Sequence, residues 1–170
     1  GEQPAETYLR MLRESDGAAL FTVQFFNRSI EALEEVLTSD HILPGLGDAG
    51  AHVGQIMDAG WTTFVMRYWA RERGVYSVEE AVRRMTSAPA EVIGLTDRGT
   101  LEVGKRADVN VIDYERLHEK TPEYVRDFPN DAGRFIQRAE GFTATICNGD
   151  VILAHDQHTG ARPGRVLRAN

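Results

Sequence analysis

The sequence predicts an α/β first half joined to a small antiparallel β second half. Three observations carry this. The first fifty residues alternate helix, strand, helix, strand, the rhythm of βα units with parallel strands. Helical spacing then disappears at Thr96-Asp97-Arg98-Gly99. Beyond it, Asn148-Gly149 sits between two apolar runs, and Asn-Gly is the favoured two-residue turn between antiparallel strands.

In chain order, Pro4 to Arg13 reads as a helix, with Pro4 in its first turn and Tyr8, Leu9 and Leu12 on one face. Ala18 to Phe26 is apolar except for Thr22 and Gln24, the pattern of a strand buried on both faces. Ile30, Leu33, Val36 and Leu37 form the stripe of a second helix. Ile42 to Leu46 reads as a second buried strand. Trp61 to Arg71 is an aromatic-rich helix. Ser77 and Glu80 have capping-box spacing, with Val78, Ala81, Val82 and Met85 behind them. Ser87-Ala88-Pro89 starts a third helix in this region, ended by Gly94. Leu101 to Arg106 reads as a short strand and turn, and Ala107 to Ile112 as a strand. Tyr114 to Arg138, broken by Pro122 and Pro129, reads as a wandering surface loop. Thr143–Cys147 and Val151–Ala154 make the hairpin, and residues 156–170 an extended, docked tail. The boundaries that follow are 1–95 and 96–170.

Composition narrows the function. The 170 residues carry 19 Lys and Arg against 26 Asp and Glu, a net charge of −7, which argues against nucleic acid as the main partner. No apolar run reaches the roughly 20 residues of a membrane helix. Cys147 is the one cysteine, so no intrachain disulfide and no cysteine-based zinc cage can form. A reducing cytoplasm fits best. The chain opens on Gly1 without an initiator Met or a signal-peptide pattern, and is expected to be a piece of something larger.

The stretch that carries chemistry is Gly45-Leu46-Gly47-Asp48-Ala49-Gly50-Ala51-His52. Glycines turn the chain sharply, and small neighbours leave Asp48 uncrowded. A carboxylate at the carboxyl end of a buried strand is where parallel α/β enzymes place chemistry. The competing reading is that Asp48 caps the next turn or helix. His52, four residues on, is a candidate for the same cleft, and the spacing leaves that open. The other histidines lack metal-binding spacing: His41 is read as a helix cap, His118 as solvated, and His155 with His158 as a surface pair. There is no Gly-x-Ser-x-Gly elbow, and Cys147 is expected to be buried in its strand.

An ordered set of motifs adds to this. Gly47-Asp48-Ala49-Gly50-Ala51-His52, Met85-Thr86-Ser87-Ala88-Pro89-Ala90, Gly94-Leu95-Thr96-Asp97-Arg98-Gly99, Gly104-Lys105-Arg106-Ala107-Asp108-Val109, Cys147-Asn148-Gly149 and His158-Thr159-Gly160-Ala161-Arg162-Pro163-Gly164-Arg165 resemble the C-terminal part of the amidohydrolase superfamily. The branch they resemble is the N-acyl-D-amino-acid deacylase, or D-aminoacylase, group. The resemblance implies the last two βα units of a metal-dependent (β/α)8 TIM barrel, with Ala18 to Phe26 as strand seven and Ile42 to Leu46 as strand eight. It implies that residues from about 97 are the C-terminal part of a small antiparallel β-sandwich. It also implies that Asp48 contacts the metal centre and shuttles a proton; His52 is kept as the candidate that faces the substrate.

The family's His-x-His after strand one, its bridging ligand and its later histidines are absent from these 170 residues. One or two zinc ions are therefore expected in the complete enzyme and none bound tightly here, since zinc takes about three protein ligands at catalytic sites. The expected partners are a small-molecule amide and the remainder of the barrel and sandwich, with no nucleic acid or membrane; homo-oligomer formation is left open. Two rival expectations are a non-catalytic assembly module built on the same fold, and a cyclic-amide hydrolase of the hydantoin type.

Overall fold

The computed structural model describes residues 1–24, 26–45, 47–55 and 57–167. The chain divides into two compact units, Gly1–Val36 and Leu37–Asn170.

The first unit is built on helix α1, Pro4–Glu14. Gln3 and Glu6 form a reciprocal capping box at its start, and Pro4 occupies its first turn, where a missing N–H costs nothing. Helix α2, Ile30–Leu37, starts from Ser29, whose Oγ accepts the Ala32 N–H at 3.2 Å. Between them the expected buried strand does not form. Residues 18–24 pair with no strand, and Leu20 and Val23 are each 61% exposed. Phe26 is exposed too, and Phe25 lies outside the described residues. The physical reason is that a parallel strand needs neighbours on both sides to satisfy its N–H and C=O groups. Among the described residues no parallel pair exists. The same holds for residues 42–45, which pair with no strand; Leu46 lies outside the described residues.

The second unit has a helical layer and a β layer. Helix α3, Trp61–Phe64, runs on into a π-helical segment, Val65–Glu72. Helices α4, Val78–Met85, and α5, Ser87–Val92, follow. The core lies among them: Val65, Met66, Trp69, Ala70, Tyr76, Ala81, Ala88 and Ala90 are buried, with Leu37 and Leu117. The Ser77 cap is present, its Oγ accepting from the Glu80 N–H at 3.2 Å. The Glu80 carboxylate is turned to Arg83 and Arg84, which hold it down at about pKa 2.

Strands β1, Val109–Ile112, β6, Phe142–Cys147, β7, Asp150–Ala154, and β8, Gln157–His158, make one antiparallel sheet in the order β1-β6-β7-β8. Asn148 (φ 51) and Gly149 (φ 91) form the expected two-residue turn, opposite the Cys147–Asp150 pair. A second tight turn, His155-Asp156, makes the start of the expected tail a strand instead. Its Asp156 carboxylate accepts the Phe142 N–H at 2.7 Å. Residues 101–106 hold a turn but no strand. That segment is pinned by charge: Asp97, held at about pKa 2 by Arg98 and Arg106, joins the 97–106 loop, and Arg106 reaches the Asn148 side chain at 2.8 Å.

The wandering loop expected over 114–138 is instead ordered β structure. Strands β2, His118–Glu119, and β5, Ala139–Glu140, pair with each other. Strands β3, Glu123–Phe128, and β4, Ala132–Ile136, form a hairpin around Pro129–Asp131. Pro129 does not break an element here; it opens the turn, with Asn130 and Asp131 at positive φ. Tyr124 and Phe135 pack edge to face across the two strands at 5.2 Å.

The helical and β layers are joined by two arginines of the π-helical segment. Arg71 donates to the carbonyls of Tyr114, Glu115 and Leu117. Arg67 pairs with Glu119 and with Glu72, which raises its pKa above the usual arginine value. The wider π turn is accompanied by a stacked pair at 5.0 Å between Phe64 of α3 and Tyr68 of the π-helical segment.

The crossing into β6 is a close fit. Gly141 has φ +98, and a Cβ there would lie 2.7 Å from Leu117 Cα and 3.0 Å from the Asp113 carbonyl oxygen. Gly141→Ala therefore combines a left-handed-backbone penalty with overpacking against a buried residue, about 3 kcal/mol in all. For a chain of this size that is a fall in Tm of roughly 6–12 °C. Thermal unfolding within about 1 °C of the parent would refute it.

Candidate active site

Asp48 stands on an open turn between two fixed points. Its own carbonyl accepts the Ala51 N–H at 2.9 Å, and the His52 carbonyl accepts the Gln55 N–H at 2.7 Å, so residues 48–55 are two successive turns. The capping reading of Asp48 is not what forms. Its side chain is exposed and, among the described residues, takes part in no hydrogen bond or ion pair. His52 is likewise exposed on the second turn.

The loop is fastened on both sides. A Cβ at Gly47 would collide with the backbone carbonyl of Asp58, so the two chain segments approach as only glycine allows. Downstream, the Phe135 N–H donates to the Val53 carbonyl at 2.8 Å, and Gln137 Oε1 accepts the Gly60 N–H at 2.9 Å. The β3–β4 hairpin thus braces the loop from below. A cleft of about 320 Å³ lies along this contact, with Ala49, Gly50 and Val53 on one wall and Phe135, Ile136 and Gln137 on the other. It begins one residue after Asp48.

The remaining histidines play local parts. His41 is exposed, and its N–H donates to Ser39 Oγ at 3.3 Å. The end of α2 is capped instead by Arg84 and Tyr76, which both donate to the Leu37 carbonyl. His118 is on β2 and not in a loop; its Nδ1 lies 3.1 Å from the Arg116 carbonyl oxygen and 3.6 Å from the Glu140 carboxylate, and its side chain stays partly exposed to solvent as expected. His155 and His158 are exposed, as expected of a surface pair. Cys147 is half-buried at the end of β6.

Zinc chemistry asks for three or more ligands in one place. Among the described residues no group of three His, Cys, Asp or Glu side chains converges to hold a metal. Asp48 and His52 on their own do not fit a zinc centre.

One buried charge of this unit carries little mark in the sequence. Arg84 is one of two adjacent arginines in a helix with an obvious buried face, and it is only 3% exposed. A signal does exist: Val78, Ala81 and Met85 define a face that Arg84 shares at i+3 from Ala81.

Residues 18–153 match the amidohydrolase family model, and the chain belongs to that family. Its relatives narrow the branch. The chain is 36% identical over 112 residues to N-acyl-D-glutamate deacylase of Alcaligenes xylosoxydans xylosoxydans, covering 64% of this chain and 20% of that protein. It is 34% identical over 109 residues to D-aminoacylase of the same organism, covering 63% of this chain and 21% of that one. The crystal structure of D-aminoacylase, described as defining a novel subset of amidohydrolases, matches with a TM-score of 0.50 and 28% identity, over 64% of this chain and 21% of that one. A further structure of D-aminoacylase, with the same agreement, concerns its binuclear metal center. The chain therefore spans about a fifth of the length of these relatives. Among the described residues no helix is long and apolar enough to cross a membrane.

Proposed function

We propose that this chain is the C-terminal segment of a zinc-dependent amidohydrolase that cleaves a linear amide such as an N-acyl-D-amino acid. Residues 1–95 are its share of the barrel, and residues 96–170 its share of the β-sandwich. The observation that carries the proposal is the uncommitted Asp48 carboxylate, exposed on a turn braced on both sides, inside the region that matches the family.

A carboxylate so placed accepts the proton of the attacking water as it adds to the amide carbonyl. It then returns that proton to the departing amine, so one group serves as base and acid in turn. His52 lies on the substrate side of the same loop. Metal ligands beyond an Asp48 contact are assigned to the remainder of the barrel, since the described residues fall short of a site. The exposed Leu20, Val23 and Phe26 fit the same picture: they are the surface that the other barrel strands would cover. A non-catalytic assembly module would also use that surface, and it is the reading to be excluded.

The test compares the full polypeptide, carrying these residues at its C-terminus, with the 170-residue chain. The full protein is expected to hydrolyse N-acetyl-D-glutamate or N-acetyl-D-aspartate, to lose activity to a zinc chelator and to recover it with zinc. The 170-residue chain is expected to be inactive and to self-associate. Absence of any amide hydrolysis by the full, metal-loaded protein would favour the assembly module, and turnover of hydantoins alone would move the substrate to cyclic amides.

A further inference from the structure

The cleft beside the Asp48 turn is built from two parts of the chain that lie far apart in sequence. Ala49, Gly50 and Val53 form one wall, and Phe135 and Ile136 of β4 form the other. Backbone holds the two walls in register, the Phe135 N–H donating to the Val53 carbonyl at 2.8 Å. The Phe135 ring is itself fixed by Tyr124, edge to face at 5.2 Å across the β3–β4 pair. The volume is about 320 Å³. That is the lower end of the range of small-molecule pockets, roughly 300–1,000 Å³, and leaves room for a short chain.

The walls are apolar in chemistry. Of the described residues that line the cleft, two carry polar side chains, Arg134 and Gln137, and both are engaged elsewhere. Gln137 accepts the Gly60 N–H at 2.9 Å and donates to the Lys120 carbonyl at 3.0 Å. Arg134 gives Nε and Nη2 to the two oxygens of Asp127, each at 2.7 Å, so its charge is already matched. A carboxylate entering the cleft would meet Asp127 across the same guanidinium and would exchange water for apolar walls, which is costly. An alkyl group gains from each methylene it buries. In an N-acyl amino acid the amino-acid part always carries a carboxylate, and a simple acyl chain carries none. The acyl chain also starts at the amide carbonyl carbon, the atom that Asp48 is proposed to serve, and the cleft starts at the residue next to Asp48.

We infer that this cleft is the acyl-chain subsite, taking an alkyl chain longer than the methyl of an acetyl group, with Val53, Phe135 and Ile136 as its specificity-determining residues. This rests on the function proposed above for Asp48. It makes a hairpin of the β layer part of substrate recognition.

The experiment uses the full, metal-loaded polypeptide and measures kcat/KM for the N-acetyl, N-propionyl and N-butyryl derivatives of D-glutamate. Each buried methylene is expected to raise kcat/KM about fourfold, so that butyryl exceeds acetyl by about sixteenfold. Ile136→Ala removes part of one wall, and Val53→Phe fills the space from the other. Each is expected to bring the butyryl-to-acetyl ratio below about fourfold, the value of a single methylene. A purely structural loss would lower the three rates together and keep the ratio. A second arm adds the same two methylenes on the other side of the amide, N-acetyl-D-norvaline against N-acetyl-D-alanine. Neither variant is expected to move that ratio. A flat acyl series in the active parent protein overturns the subsite and leaves the hydrolase reading standing, and this holds even where neither variant folds. A rising series that both folded variants leave unchanged overturns it too. Variants that move the norvaline ratio and not the butyryl ratio give the cleft to the amino-acid side chain, which also overturns the proposal. If no member of either series is hydrolysed, the proposed function falls and the subsite falls with it.

Discussion

Asp48→Asn in the complete polypeptide is expected to reduce kcat by about 10²–10⁴-fold, the usual contribution of a positioned acid–base group. The substitution keeps shape and polarity but removes the group that takes and returns a proton. Metal content should remain largely intact, because the proposed site draws most of its ligands from elsewhere in the barrel. The structure makes the experiment clean. The Asp48 side chain is exposed and holds no hydrogen bond or ion pair among the described residues, so its loss should leave Tm within about 1 °C. A fall in turnover at constant stability and constant metal can then be read as chemistry. Turnover close to that of the parent would remove Asp48 from the mechanism.

The largest effect on stability is expected at Arg84. Arg84→Ala takes the donor from three carbonyls in a buried setting and leaves space beneath Tyr76. Such losses cost about 3–5 kcal/mol. The ion pair itself contributes little of this, since Asp40 is almost fully exposed and Glu80 keeps Arg83 as a partner. The internal control is Arg83→Ala. Arg83 is next in sequence, binds the same Glu80 carboxylate and is half exposed, so its removal should cost less than about 1 kcal/mol. Urea unfolding of the two variants decides the matter: equal midpoints would mean that the backbone contacts of Arg84 count for nothing.

Elements whose signal is local are legible in the sequence. Pro4 marks helix α1, Ser77 marks α4, and Asn148-Gly149 marks the β6–β7 hairpin; each is a preference of a few residues for one backbone shape. The branch of the family is legible for a similar reason, being written in short ordered motifs. Non-local pairing misleads in both directions. Residues 18–24 and 42–45 carry the composition of buried strands but find no partner here, and a strand is a property of two segments. Residues 114–138 carry prolines and charges that read as loop, yet β3 meets β4 through Tyr124 and Phe135, and Pro129 turns the corner.

At the site, the sequence by itself determined the candidate group: a lone carboxylate among glycines and alanines, four residues before a histidine. It also determined that too few ligands for zinc lie in this stretch. Only the tertiary structure decided how that carboxylate is held. The clamp on its loop comes from Asp58 against Gly47 and from Val53 against Phe135 far along the chain. A side chain's chemistry belongs to the residue, whereas donation to a distant carbonyl depends on where folding brings that carbonyl, and no local pattern encodes that position.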